Sequence, residues 1–132
     1  MSEERAVTLE DLIFIHSAAI ARYGGASGIR DAGSLEAAIA RPYTAFGGSE
    51  MFPGPFAKAA ALMESVIQRH PFVDGNKRTG VASAVYLLRR HDYRLAGVTN
   101  AQLVELSLNV AAHRMSTTEL GSWFEEHVEP AD

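Results

Sequence analysis

Two apolar runs, residues 56–69 and 76–90, are separated by only six residues, His70-Pro71-Phe72-Val73-Asp74-Gly75, and no other feature limits the fold as tightly. The first run is alanine-rich and carries Leu62, Met63, Val66 and Ile67 at helical spacing, so it predicts a strong helix. The second is apolar nearly all round, with Val81, Ala82, Ala84, Val85, Leu87 and Leu88 ahead of its closing arginines, which predicts a buried central helix. Pro71 disfavours helical geometry at His70 and ends the first helix there, while Gly75 permits a positive φ just before the second begins. The intervening loop is therefore short and fixed at both ends.

The rest of the chain reads as further helices. Thr8 with Asp11 forms a capping box, and Leu12, Ile15, Ala19 and Ile20 continue at helical spacing until Gly24-Gly25, giving a first helix over about 8–23. Residues 26–33 read as a loop, and 34–40 as a short helix closed before Pro42. Residues 42–55 differ in kind: three prolines, three glycines and the exposed-looking aromatics Tyr43, Phe46 and Phe52 predict a long surface flap, either a loop or a small hairpin. Loops of that length in a small domain tend to carry function. Capping boxes at Thr99–Gln102 and Ser116–Glu119 open two last helices, about 100–113 and 117–127. The expected architecture is an all-α bundle of about six helices in a single domain over 1–132, with no repeat, linker or low-complexity tract to mark a second.

Composition narrows the chemistry. With no cysteine, any nucleophile or metal ligand must be an oxygen or nitrogen side chain. The first twelve residues, MSEERAVTLEDL, lack the pattern of a signal peptide, and no apolar run reaches membrane-spanning length, so a soluble cytoplasmic protein is expected, with no membrane partner. A net charge of −4 argues against nucleic acid as a direct partner. His16, His91, His113 and His127 stand at no metal-ligand spacing and are assigned no role.

The loop between the two strong helices holds the remaining candidates. Asn76 is a good N-cap, which puts Lys77 and Arg78 in the first helical turn, where the helix dipole disfavours cations by a few tenths of a kcal/mol. Broken local rules gather at functional sites, and an anion at this helix start would relieve the conflict, so a phosphate site is inferred. Asp74 supplies a hard oxygen ligand for Mg²⁺ bridging phosphate oxygens, and His70 a side chain suited to taking a proton from a hydroxyl. A base, a metal ligand and a phosphate cradle are what phosphoryl or nucleotidyl transfer requires. Asp74 as a turn former and Asn76 as a cap are structural roles compatible with these. Lys58, on the preceding helix, either pairs with an acidic neighbour or faces a nucleotide, the former being favoured.

At this point the chain resembles a known family. The run His70-Pro71-Phe72-Val73-Asp74-Gly75-Asn76-Lys77-Arg78 is similar to the Fic signature, His-x-Phe-x-(Asp or Glu)-(Gly or Ala)-Asn-(Gly or Lys)-Arg, at every constrained position. The stretches from Gly28 to Ala38, Arg41-Pro42 and Phe56 to Leu62 resemble its death-on-curing (Doc) branch, so the likeness covers nearly the whole chain.

That resemblance implies roles residue by residue. His70 matches the catalytic base, Phe72 a buried anchor and Asp74 the Mg²⁺ ligand, while Gly75, Asn76, Lys77 and Arg78 match the part that binds the phosphates of ATP. The 42–55 segment matches the flap that docks the target. Most Fic enzymes have Gly where Lys77 stands and transfer AMP; in the Doc branch a Lys there accompanies transfer of the γ-phosphate, which makes a protein serine/threonine kinase the leading expectation and an AMP transferase the alternative. The Doc resemblance further implies a toxin acting on elongation factor Tu to halt translation, and a Phd-like antitoxin whose disordered segment folds into a groove on the toxin. Ser122-Trp123-Phe124-Glu125-Glu126 approaches the internal inhibitory motif of other Fic proteins, but His127 follows where Gly or Asn is expected, so inhibition is expected in trans. A rival of another class is an inactive module that only binds its antitoxin; the intact motif speaks against it.

Overall fold

The helix Gly54–Arg69 (α3) is the one the others are built around: Lys58 to Met63 and Ser65 to Ile67 are all buried. The structure, a computed structural model, describes residues 5–131. In chain order the described helices are α1 (Leu9–Tyr23), α2 (Ala32–Ala40), α3, α4 (Asn76–Arg90), α5 (Asn100–Ala111) and α6 (Thr117–Glu126). Among the described residues four minimal strands form two antiparallel pairs, β1 (Ala45–Phe46) with β2 (Ser49–Glu50), and β3 (Tyr93–Leu95) with β4 (Val128–Pro130). The all-α bundle expected from the sequence is the architecture found.

Small side chains let the partners of α3 close in. Ala59, Ala60 and Ala61 are fully buried, and α2, α4, α5 and α6 all pack on the helix. At Gly80 of α4 a Cβ atom would stand 2.7 Å from Ile67 Cγ1 and 3.2 Å from the Met63 carbonyl, so the α3–α4 contact depends on a residue without a side chain there. Leu12, Leu35, Leu62, Met63, Ile67, Leu87, Leu120 and Phe124 complete one continuous core, each such side chain contributing about 1.5–3 kcal/mol by leaving water. No described helix is long and apolar enough to cross a membrane.

Several sequence expectations need correction. The buried central helix is α3, not α4: α4 turns Thr79, Gly80, Ser83, Ala84, Leu87 and Leu88 inward but leaves Val81, Ala82 and Val85 only half-buried. Its all-round apolarity serves two surfaces, the core and an open groove. α2 starts at Ala32 rather than at 34, because the Asp31 carboxylate accepts a hydrogen bond from the Ser34 N–H and caps the helix earlier than its apolar pattern begins. The flap is shorter than 42–55: Arg41–Tyr43 is a 3₁₀ turn, β1 and β2 form a hairpin through Gly47-Gly48, and α3 already starts at Gly54. Of its aromatics only Phe46 stands in solvent, 83% exposed; Tyr43 and Phe52 are half-buried, Phe52 under the Arg41 guanidinium 5.0 Å from its ring centre. The β3–β4 pair was not anticipated, three-residue strands being too short to show a period of two.

Candidate active site

α3 ends at His70, which adopts left-handed backbone geometry, φ 50° and ψ 59°. Pro71 bars the right-handed helical region at this position, so the chain must leave the helix there. The His70 side chain is exposed, but its backbone is not loose. Arg30, 40 residues earlier, donates from Nε to the His70 carbonyl at 2.6 Å and from Nη2 to the Arg69 carbonyl at 2.7 Å. The Arg30 and Asp31 N–H groups both donate to the Pro71 carbonyl, the Val73 N–H donates to the Gly28 carbonyl, and Ile29 and Phe72 form an antiparallel bridge.

The second half of the loop is held from inside. Phe72 is buried, and the Asn76 side chain serves both of its backbone groups: Oδ1 accepts from the Phe72 N–H and Nδ2 donates to the Phe72 carbonyl, each at 3.0 Å. This corrects the expectation that Asn76 is the N-cap of α4. Gly75, at φ 76°, occupies the cap position, Asn76 is the first helical residue, and its amide is turned back into the loop rather than outward. Lys77 and Arg78 still fall in the first turn, both exposed, and no side chain caps the helix.

His16, to which the sequence assigned nothing, proves to be part of this scaffold. It is buried, lies flat on the Phe72 ring with centroids 3.8 Å apart, and donates from Nε2 to the Asp74 carbonyl at 2.8 Å. A carbonyl can only accept, so the hydrogen must sit on Nε2. The signal available was its place in the series Leu12, His16, Ile20, one stripe of α1 at i, i+4, i+8.

The Asp74 carboxylate accepts from the Ala26 N–H at 3.2 Å and from the Gly75 N–H at 2.8 Å. The Ala26 and Gly75 amides, in that order, outweigh a desolvation cost and hold its pKa below the ordinary value of 3.8, with Lys77 and Arg78 adding to the effect. Gly25 makes room for it: a Cβ there would come 2.7 Å from Asp74 Oδ2, and the local φ of 113° is one that other residues rarely adopt. The glycine pair that stops α1 thus also admits the carboxylate. The Arg78 guanidinium stacks on the Tyr23 ring, 4.3 Å from its centre. One exposed, ionised carboxylate fits Mg²⁺, which takes one or two carboxylates together with substrate phosphate oxygens and water; among the described residues no group of three or more His, Asp or Glu could hold a metal by itself.

Two neighbouring features complete the face. Lys58, only 2% exposed, donates from Nζ to Glu50 Oε1 of β2 at 2.6 Å and to the Phe52 carbonyl at 2.7 Å, tying the flap to α3 rather than facing a nucleotide. Between α1, α4 and α5 runs a groove of about 620 Å³, lined by Phe14, Ala18, Val81, Val85 and Val104 and also by the cations Arg22, Lys77, Arg78 and Arg89. Phe14 is 74% exposed there.

Comparison with known proteins agrees with the motif. A sequence model of the Fic/DOC family matches residues 6–88. The chain is 39% identical over 92 residues, 70% of its length and 71% of the relative's, to a protein named Toxin Doc from Mycolicibacterium smegmatis. It is 32% identical over 116 residues, 88% of its length and 90% of the relative's, to one named Protein kinase doc from Escherichia phage P1.

Proposed function

Given that this chain belongs to the Fic/DOC family, in its death-on-curing (Doc) branch, we propose that it is a toxin that transfers the γ-phosphate of Mg²⁺-ATP to a threonine or serine hydroxyl of a protein target. The observation that carries the reading is the Asp74 carboxylate, kept ionised by two backbone N–H groups at the uncapped start of α4, with Lys77 and Arg78 in the next two helical positions. A helix start with free N–H groups and two cations is suited to phosphate oxygens, and a carboxylate there to a magnesium ion. Asn76 contributes by holding the loop, since its amide is committed to Phe72.

His70, exposed beyond the end of α3, takes the proton of the target hydroxyl as that oxygen attacks the γ-phosphorus. The new P–O bond forms as the bond to the β–γ bridging oxygen breaks, and ADP leaves with that electron pair. Lys77, Arg78 and the α4 N–H groups face the charge on the phosphates. Asp74 would hold a magnesium ion, which would supply further neutralisation of the phosphate charge. Lys77 favours this reaction over AMP transfer, in which the same residues would serve attack on the α-phosphorus.

The target is elongation factor Tu, presented by the flap, and its modification stops translation in the cytoplasm. A Phd-like antitoxin occupies the groove between α1, α4 and α5: an amphipathic helix would set apolar residues on Phe14, Val85 and Val104 and acidic ones near Arg22, Lys77, Arg78 and Arg89. The test is to incubate the purified protein and elongation factor Tu with Mg²⁺ and ATP labelled at the γ- or the α-phosphate, beside His70→Ala. Label from γ alone, reduced about 10²–10⁴-fold in the variant, is the expected result. Label from α would mean AMP transfer, and none from either, with folded protein free of antitoxin, would sink the proposed target or leave a binding module.

A further inference from the structure

We infer that Arg30 is a positioning residue for His70, a guanidinium clamp that fixes where the base stands without touching substrate; the inference rests on His70 acting as the base. The last carbonyls of a helix have no partner within it. At the C-terminus of α3 two of them, those of Arg69 and His70, are both taken by the Arg30 side chain, at 2.7 and 2.6 Å. A planar fork spans two successive carbonyls where an ammonium is a point charge, and its charge also sits at the negative end of the helix.

The clamp acts where the chain has least support of its own. Left-handed geometry is disfavoured for a residue with a side chain, so His70 keeps φ 50° only while its surroundings impose it. That dihedral sets the direction in which the imidazole leaves the backbone. Arg30 is itself fixed, because its own N–H and that of Asp31 are bound to the Pro71 carbonyl. Each side of the bond is therefore anchored next to the proline that forces the turn.

The other half of the site is held independently. Asp74 is secured by Ala26, Gly75 and His16, and the start of α4 by the Asn76–Phe72 pair, none of which involves the Arg30 side chain. Loss of the clamp should therefore misplace the base and spare the phosphate site. A purely stabilising residue would instead weaken both together.

The experiment compares wild type, Arg30→Met and Arg30→Lys for the kcat of γ-phosphate transfer, the Kd for Mg²⁺-ATP by calorimetry, and backbone ¹⁵N order parameters. For Arg30→Met kcat should fall about 10–100-fold with Kd within about twofold, as expected for a small misplacement of a reacting group. The His70 amide should drop from the rigid range near about 0.85 to below about 0.6 while Gly75 and Asn76 stay ordered, and Arg30→Lys should recover part of both. Unchanged kcat with an ordered His70, or Kd weakening in step with kcat as order is lost across the whole loop, would overturn the inference. If wild type itself transfers nothing, the functional reading fails, and the order parameters alone still decide whether the clamp exists. Should Arg30→Met not fold, Arg30→Lys, keeping charge but not the fork, carries the same comparison.

Discussion

The two ends of α3 are finished in opposite ways. At its C-terminus the loop 70–76 is tied to residues 28–31 by backbone and guanidinium hydrogen bonds, to α1 through His16 and to itself through Asn76, so that most backbone groups from Arg69 to Gly75 have a named partner. At its N-terminus the flap is a hairpin of two-residue strands with Phe46 and Met51 exposed, and the side-chain tie from α3 is Lys58 with Glu50 and the Phe52 carbonyl. The chemistry needs groups fixed to within about half an ångström, whereas docking a protein target needs a surface that can adapt. Under the proposed function, one helix would carry a rigid end for reaction and a compliant end for recognition.

The largest effect should come from cutting the rigid end at its centre. Asn76→Ala orphans both backbone groups of the buried Phe72, at about 1–3 kcal/mol for each group left without a partner. Thermal unfolding should move down by several degrees, and transfer activity should fall about a hundredfold or more even below the melting range. Asn76→Asp is the sharper probe, since it keeps the acceptor for the Phe72 N–H but sets a carboxylate oxygen against the Phe72 carbonyl in place of the donor. Full activity in either variant would mean that the loop does not depend on this internal splint.

At the compliant end the expected loss is smaller and of another type. Lys58→Met removes the flap tie with a side chain of similar length, and the half-exposed Glu50 carboxylate it leaves behind returns to water, so the fold should keep its stability to within about 1 kcal/mol. Steady-state kinetics should show KM for the protein target rising about tenfold with the Kd for Mg²⁺-ATP unchanged. Glu50→Ala leaves the Lys58 ammonium buried with the Phe52 carbonyl and the Tyr43 ring but no counter-charge, and should cost more stability than Lys58→Met although it removes the more exposed partner. A fall in kcat rather than a rise in KM would break the division between the two ends.

What the sequence disclosed follows the same division. The helix pair, its break at Pro71 and Gly75 and the three capping boxes are local rules, and the structure has the helices they predict to within two or three residues. His70, Asp74, Lys77 and Arg78 stand out because they sit together in one short loop. The supports of that loop were hidden because each lies 39 to 58 residues away in the chain and looks ordinary where it stands: Arg30 as a surface charge, His16 as a helix residue, Gly25 as a stop. Only the packing of α1 and α2 on the α3–α4 pair turns them into a scaffold. Asn76 misled for a related reason, since a residue that could cap its own helix was claimed by a backbone four residues earlier.

Acid provides the mildest test, reaching the rigid end through carboxylates that accept backbone N–H bonds. Asp74, bonded first by Ala26 and then by Gly75, and Asp31, bonded by Ser34 at the start of α2, are both held below the ordinary value of 3.8; Glu119, bonded by Ser116 in the far cap of α6, lies below 4.5. A carboxylate whose folded pKa is depressed binds its proton more readily when unfolded. Its contribution is therefore whole above the unfolded value and is lost as pH falls through the lower folded one. Stability should accordingly hold down to about pH 4 and then decline. In an NMR titration the Ala26 and Gly75 amides should report a midpoint below 3.8, and Asp74→Asn should erase it while leaving the Glu119 transition in place. A midpoint at or above 3.8 would mean that Asp74 is not held by those amides, and the loop would then be no more constrained at its Asp74 half than the flap is at its tip.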